Sequence, residues 1–369
     1  MSRNGERANE ANEENGLPAL SQLYFYLTHG CNLACRHCYL TPKFDPNAGD
    51  GVLSVDHFEM AIREAKPLGL TAVKLTGGEP LLNPRIERML EIVRREELTL
   101  RMESNGVLCT PELARQIAAC KDAFISVSLD GADAETHEWV RGVPGSFEGA
   151  KTGIRNLVDA GMRPQVILTI MRRNADHVEP VIRLAEQLGC GSVKFNVVQP
   201  MGRGELLVHD ESRGLEVPEL IELGRRVDMV LQEQTKLTLY FDYPMAFRPL
   251  SRIANGGSGT CGILGILGVI ASGHYAICGV GDSIADLVYG EVGLDSLEEI
   301  WNTHPKLAML RDGVPARLTG ICGRCLMKHR CLGSCVAQNY YKTGELLAPY
   351  WFCEQAEADG LFPASRFAG

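Results

Sequence analysis

The stretch GCNLACRHCYL, residues 30–40, decides how the rest of the chain is read. It places Cys31, Cys35 and Cys38 within eight positions and supplies no fourth thiol. A closed tetrahedral metal site takes four protein ligands, and iron–sulfur clusters are commonly held by four cysteines. Three thiols on one loop therefore describe a site with an open position, a zinc knuckle completed from elsewhere, or plain buried thiols. The tight C-x-x-x-C-x-x-C spacing directly after a strand-like run favours a cluster with one iron left for something else.

Working outward, short β-branched and aromatic runs recur: LYFYLT from Leu23, AVKLT from Ala72, LTLRMES from Leu98, AFISVSL from Ala123, QVILTI from Gln165 and SVKFNVV from Ser192. Between them lie segments such as DHFEMAIREAK and HVEPVIRLAEQLG, whose apolar residues repeat at three- and four-residue spacing. Six strand-then-helix units predict an α/β fold, a partial (β/α)6 TIM-like barrel with a parallel sheet and helices outside. The polar and glycine-rich motifs all follow strands: GCNLAC, GGEP, SNG and DG. They are expected at one mouth, where strand C-terminal ends carry the chemistry. Near residue 235 the alternation gives way to glycine-rich turns and cysteines, which marks a boundary between residues 21–235 and 236–369.

Composition narrows the function classes. The net charge of −9 over 369 residues speaks against a nucleic-acid partner held by a basic surface. Residues 1–20 open with mixed charge and almost no apolar bulk, which predicts a disordered tail and no signal peptide. The most apolar stretch, GILGILGVIASG at 262–273, is far shorter than the roughly 20 residues of a membrane helix. A soluble cytoplasmic protein is expected, with no membrane partner, and its 13 cysteines then point to metal rather than disulfides.

Beyond residue 260 the cysteines form a second pattern: Cys261, eleven residues to Gly273, G-x4-C at Cys278, C-x2-C-x5-C-x3-C from Cys322 to Cys335, and Cys353. A zinc ribbon is the bland alternative for Cys322 and Cys325. Together the two patterns resemble the radical SAM superfamily and its SPASM-domain members that modify peptides. The resemblance implies a radical SAM barrel over 21–235 and a cysteine-rich C-terminal SPASM domain over 236–369, with three [4Fe–4S] clusters and S-adenosyl-L-methionine. Cys31, Cys35 and Cys38 would hold the cluster whose open iron takes that cosubstrate. Gly77, Gly78 and Glu79 would hold the methionine amino group, with Ser104 and Asn105 on the ribose side. Ser128, Asp130 and Arg141 match the strand-four region, Arg141 being assigned to the carboxylate. His37 stands where relatives carry a bulky aromatic that packs on adenine. Cys322, Cys325, Cys331 and Cys353 would complete an outer auxiliary cluster; Cys261, Cys278 and Cys335 would hold an inner one, a ligand short. Asp242 and His274 are the non-cysteine candidates for that place. Cys109, Cys120 and Cys190 are left as buried free thiols.

The resemblance further implies reductive cleavage to a 5′-deoxyadenosyl radical and hydrogen abstraction from a ribosomally made peptide. No catalytic acid or base is assigned. In sulfatase-maturing relatives an aspartate follows the cysteine equivalent to Cys278; here Gly279 follows and the next acid is Asp282, which speaks against that role. Only about twenty residues precede the first strand, so leader recognition is expected from a separate partner protein, and electrons from a flavodoxin- or ferredoxin-type donor. The alternatives are tetrapyrrole side-chain modification, as in haem-pathway relatives, and a non-enzymatic iron–sulfur electron carrier.

Overall fold

The computed structural model describes residues 16–40, 42–45, 51–208, 214–254 and 261–367. Most of the expected N-terminal tail, residues 1–15, lies outside the described residues. Its last few residues are packed: Leu20 is fully buried, and Trp301 Nε1 donates to the Pro18 carbonyl at 3.0 Å.

Six parallel strands stand where the β-branched runs predict them: β1 (Gln22–Tyr26), β2 (Ala72–Thr76), β3 (Thr99–Ser104), β4 (Lys121–Ser128), β5 (Gln165–Ile170) and β6 (Ser192–Val197). Helices Val55–Ala65, Ile86–Arg95, Pro111–Ala118, Ser146–Asp159 and Val178–Gln187 fall between them. Several begin at side-chain caps, as where Ser54 accepts from His57 N and Thr110 from Leu113 N. One phase of each strand is apolar and faces these helices. Leu23, Phe25, Val73, Leu75, Leu100, Val127 and Val193 are all fully buried, and the Phe25 and Phe58 rings meet at 4.3 Å. The other phase is polar: Lys74 Nζ lies 2.7 Å from Glu103 Oε1 and 4.9 Å from the centre of the Tyr24 ring.

The sheet continues past residue 235. Strand β7 (Thr238–Phe241) pairs parallel with β6, and β8 (Ile266–Val269), drawn from the apolar stretch 262–273, pairs parallel with β1. Eight parallel strands thus run in the order β8-β1-β2-β3-β4-β5-β6-β7. They do not close, because the outer edge of β8 is taken by β9 (His274–Ala276), which pairs antiparallel and is followed by β10 (Val288–Glu291). No described helix is long and apolar enough to cross a membrane.

Because β8 lies against β1, the cysteine-rich region is built onto the barrel's first strand. Leu267 is fully buried opposite Leu23. Leu267→Ala is expected to cost about 2–5 kcal/mol, as core truncations do. Urea unfolding followed by far-UV circular dichroism and by tryptophan fluorescence should give one coincident transition for parent and variant. Two separated transitions would show that residues after 235 fold by themselves.

Candidate active site

The cysteine loop leaves β1 at the strand's C-terminal end and is pinned from several sides. Ala34 N donates to Arg141 O at 3.0 Å and Arg36 N to Val140 O at 2.9 Å, so the loop lies along the end of the helix Ala134–Arg141. Cys31 Sγ accepts from Leu33 N, and Cys35 Sγ from Arg141 Nη1, each at 3.4 Å. Burial, with the nearby Glu79 carboxylate adding to it, pushes the Cys31 thiol up to about 12. Cys35 is also raised by burial, with Arg141 pulling the other way.

GGEP packs beneath this loop, and only glycine fits there. Gly77 has φ +130°, and a Cβ on Gly78 would overlap the Gly30 carbonyl oxygen. Gly78 N donates to Thr28 O at 2.8 Å and Glu79 N to Gly30 O at 3.0 Å, which stitches the β2 turn to the loop. The buried Glu79 carboxylate accepts from Ser104 Oγ at 2.8 Å, Asn105 N at 2.7 Å and Leu81 N at 3.1 Å. Asn105 Nδ2 donates to Asn32 Oδ1 at 2.7 Å and stands 4.0 Å from Cys31 Sγ. Glu79, Ser104 and Asn105 are therefore brought together, and their polar atoms tie the ends of β2 and β3 to the cysteine loop.

Arg141 does not stand free for a carboxylate. Its Nε lies 2.6 Å from Asp130 Oδ2, in addition to its bond to Cys35. His37 Nε2 reaches the same Asp130 oxygen at 3.3 Å, and Thr169 N donates to Oδ1 at 2.7 Å. Burial alone would raise the Asp130 pKa; the Arg141 charge and then His37 outweigh it and hold the carboxyl well below the usual range. Behind this node Asp130 N donates to His137 Nδ1 at 3.2 Å, and burial lowers His137 to about 4, so it is neutral at pH 7. Ser128 ends β4 two residues before Asp130 and is half-buried.

The C-terminal cysteines lie in two neighbourhoods. Cys322, Cys325, Cys331 and Cys353 wall one small recess of about 20 Å³, completed by apolar side chains such as Ile321 and Phe362. Cys261, Cys278 and Cys335 act electrostatically on one another, and Asp242 acts on Cys261 and Cys335. His274 is engaged elsewhere, with Ser272 at 3.0 Å and Glu291 at 3.8 Å. Among the described residues no three of these groups converge closely enough for a single metal ion. Cys109, Cys120 and Cys190 are buried.

A cavity of about 400 Å³ lies between the barrel mouth and the turn after Cys278. Tyr26, Gly77 and Gly78 wall one side, Lys43 and Pro42 another, and Ala271, Asp282 and Ser283 the far one. His29 Nδ1 meets Asp282 Oδ2 at 2.9 Å across it, which raises the His29 pKa. Sequence reasoning missed Asn32, Tyr26, His29 and the place of Asp282 here, since these contacts join segments up to 250 residues apart and carry no local pattern. Gly279 also gains a reason: a Cβ there would overlap Tyr26 Cε1 and Cζ, so the ring occupies the space an aspartate side chain would need.

Asp130→Asn should strand the Arg141 charge in the interior and cost about 3–5 kcal/mol. The Asp130 pKa is depressed by folding, so its stabilisation is full above the unfolded value of about 3.9 and fades as pH falls below it. Urea unfolding between pH 3 and 7 should show a shallower acid slope in the variant. Equal stability of the two proteins at pH 7 would remove the pair from this role.

Residues 25–185 match the family model of the radical SAM superfamily. Across most of its length the chain is 28% identical to the AdoMet-dependent heme synthase of Methanosarcina barkeri, covering 89% of this chain and 94% of the relative. It is likewise 28% identical to the mycofactocin maturase MftC of Mycobacterium ulcerans, covering 96% and 93%. In structure it resembles Streptococcus suis SuiB bound to its precursor peptide SuiA, with a TM-score of 0.71 at 15% identity over 95% of this chain and 79% of that one. With the three-thiol loop over GGEP, residues 25–185 form a radical SAM domain, and the cysteine groups beyond β7 resemble the SPASM region of peptide-modifying enzymes.

Proposed function

We propose that this enzyme modifies a ribosomally synthesised peptide by radical chemistry, at the cavity between the GGEP turn and the turn after Cys278. The observation that carries this reading is that one cavity is walled both by Gly77 and Gly78, the cosubstrate side, and by Asp282 and Ser283 beside the inner cysteine set. A substrate there meets both. MftC, matched over 93% of its length, is a maturase, and the SuiB fold accommodates a precursor peptide, which supports a peptide as occupant.

Three [4Fe–4S] clusters would be held by Cys31, Cys35 and Cys38, by Cys261, Cys278 and Cys335, and by Cys322, Cys325, Cys331 and Cys353. When bound, the first supplies the electron that cleaves S-adenosylmethionine to the 5′-deoxyadenosyl radical, which takes a hydrogen atom from the substrate. The chain's own residues position and shield. The bare backbone of Gly77 and Gly78 admits close approach of the methionine end. Arg141, fixed by Asp130, donates to Cys35 and holds the loop's shape. Ser128 and His37 line the remaining cosubstrate side. Asp242, whose charge acts on Cys261 and Cys335, is the non-cysteine group best placed for the inner cluster's free iron. A separate leader-binding protein and a flavodoxin- or ferredoxin-type donor complete the system in the cytoplasm.

A tetrapyrrole substrate is the second reading, favoured by the full-length match to a heme synthase. Anaerobic incubation with dithionite and S-adenosylmethionine should yield 5′-deoxyadenosine, and Cys35→Ala should abolish it. Iron should approach twelve per chain, on the order of four for each cluster. Mass spectrometry of a short peptide encoded beside the gene, co-expressed with the enzyme, should show a mass change that depends on Cys35. An unchanged peptide together with a converted porphyrin side chain would decide for the tetrapyrrole.

A further inference from the structure

One face of the parallel sheet carries charge that the fold does not require. Register places Tyr24 opposite Lys74 and Lys74 opposite Arg101. Glu103, two residues on, is opposite Ser126, and the row Ser126–Gln165–Ser192 carries the same face to Lys194, two residues beyond Ser192. These side chains share the face turned away from the helices. That face is open: Glu103 stands on a central strand, where a filled barrel would bury it, yet its side chain is 42% exposed. The Lys194 side chain is 35% exposed. Tyr24 lies two residues before Tyr26, which walls the cavity at the mouth, so the open face continues that cavity into the barrel.

The charges lining the cavity and this face are unevenly spent. Asp282 is met by His29 at 2.9 Å and Glu103 by Lys74 at 2.7 Å. The ammonium of Lys43, on the cavity wall, meets no carboxylate among the described residues. Lys194 Nζ has Asp242 Oδ2 at 3.5 Å, a loose pair with half of the Asp242 side chain in solvent, and makes no hydrogen bond among the described residues. Asn196, next on the same face, holds an Oδ1 out of solvent and without a partner among the described residues. We propose that Lys194 and Lys43 select a peptide that carries a carboxylate beside the residue it presents to the cavity, with Lys194 gripping that carboxylate on the strand face. This rests on the peptide reading above and narrows it. Two cations share one distant acid, so the site is short of negative charge. An ammonium with three unused donors answers a carboxylate by charge-assisted hydrogen bonds. Asn196 Oδ1 accepts an N–H of the same segment. A substrate without an acid would displace water and leave the Lys194 charge poorly paired.

The test follows initial rates by mass spectrometry for the full-length holoenzyme with dithionite, S-adenosylmethionine and the short peptide encoded beside the gene. Lys194→Met should raise KM for the peptide about ten- to hundredfold, with kcat changed far less, and Lys194→Arg should recover most of the loss. Lys43→Met should give a smaller rise that added salt erases. On the parent enzyme, peptides with each Asp replaced by Asn, each Glu by Gln, one at a time, and with an amidated C-terminus separate a side-chain carboxylate from the terminal one. One of them should lose as much as Lys194→Met does, and combining the two changes should cost little more. These peptides also serve if Lys194→Met fails to fold. Losses that multiply when combined, or a parent indifferent to every amide-bearing peptide, overturn the carboxylate grip and leave the peptide reading intact. A peptide that the parent leaves unmodified overturns the peptide reading, and the grip with it.

Discussion

The buried ion pair of Arg141 with Asp130 is the constraint on which the site depends. Three thiols on a loop of eight residues have no stiffness of their own, and the open position between them is useful only if its geometry is held. Arg141 supplies that by reaching from the end of a helix to both Cys35 and Asp130. Asp130 in turn is held by the β5 backbone through Thr169 N and by Asn174, whose amide donates to the Asp130 and Thr169 carbonyls. A lone buried guanidinium would cost several kcal/mol; paired and hydrogen-bonded, it becomes a rigid strut. The loop is therefore positioned by β4 and β5 as much as by the strand that precedes it.

This division of labour explains why motif residues look different in the fold than in the sequence. Glu79, Ser104 and Asn105 form one hydrogen-bonded knot that joins the ends of β2 and β3. Their places just after successive strands put them at one mouth. Those places do not announce that their polar atoms are largely satisfied by one another, because that depends on the distance between adjacent strands. The glycines serve the same joint, because a Cβ at Gly77 or Gly78 would press on the backbone of residues 27–30.

The six β/α units were legible because each repeats a strong period: alternation in the strands, three-and-four spacing in the helices. Strands β7 and β8 were not. TLYF is four residues long and follows a polar turn, and ILGV sits among glycines that read as a turn region. Each becomes a strand because a barrel strand offers an unpaired edge beside it, a reason that exists only in three dimensions. The cysteine groups were the opposite case. Their pattern is recognisable through its resemblance to peptide-modifying SPASM enzymes, and Cys322, Cys325, Cys331 and Cys353 line one recess. The His29–Asp282 pair and the Tyr26–Gly279 contact bring together residues some 250 positions apart, with no local signature at all.

The raised thiol pKa values also bear on how iron would be taken up. Burial lifts Cys31, Cys278 and Cys322 to about 12 and raises Cys353 as well, so the chain without iron folds around neutral sulfur rather than around mutually repelling thiolates. Iron bound at these sulfurs would displace a proton for each thiolate it takes, so its uptake would release acid and be favoured by mild alkalinity.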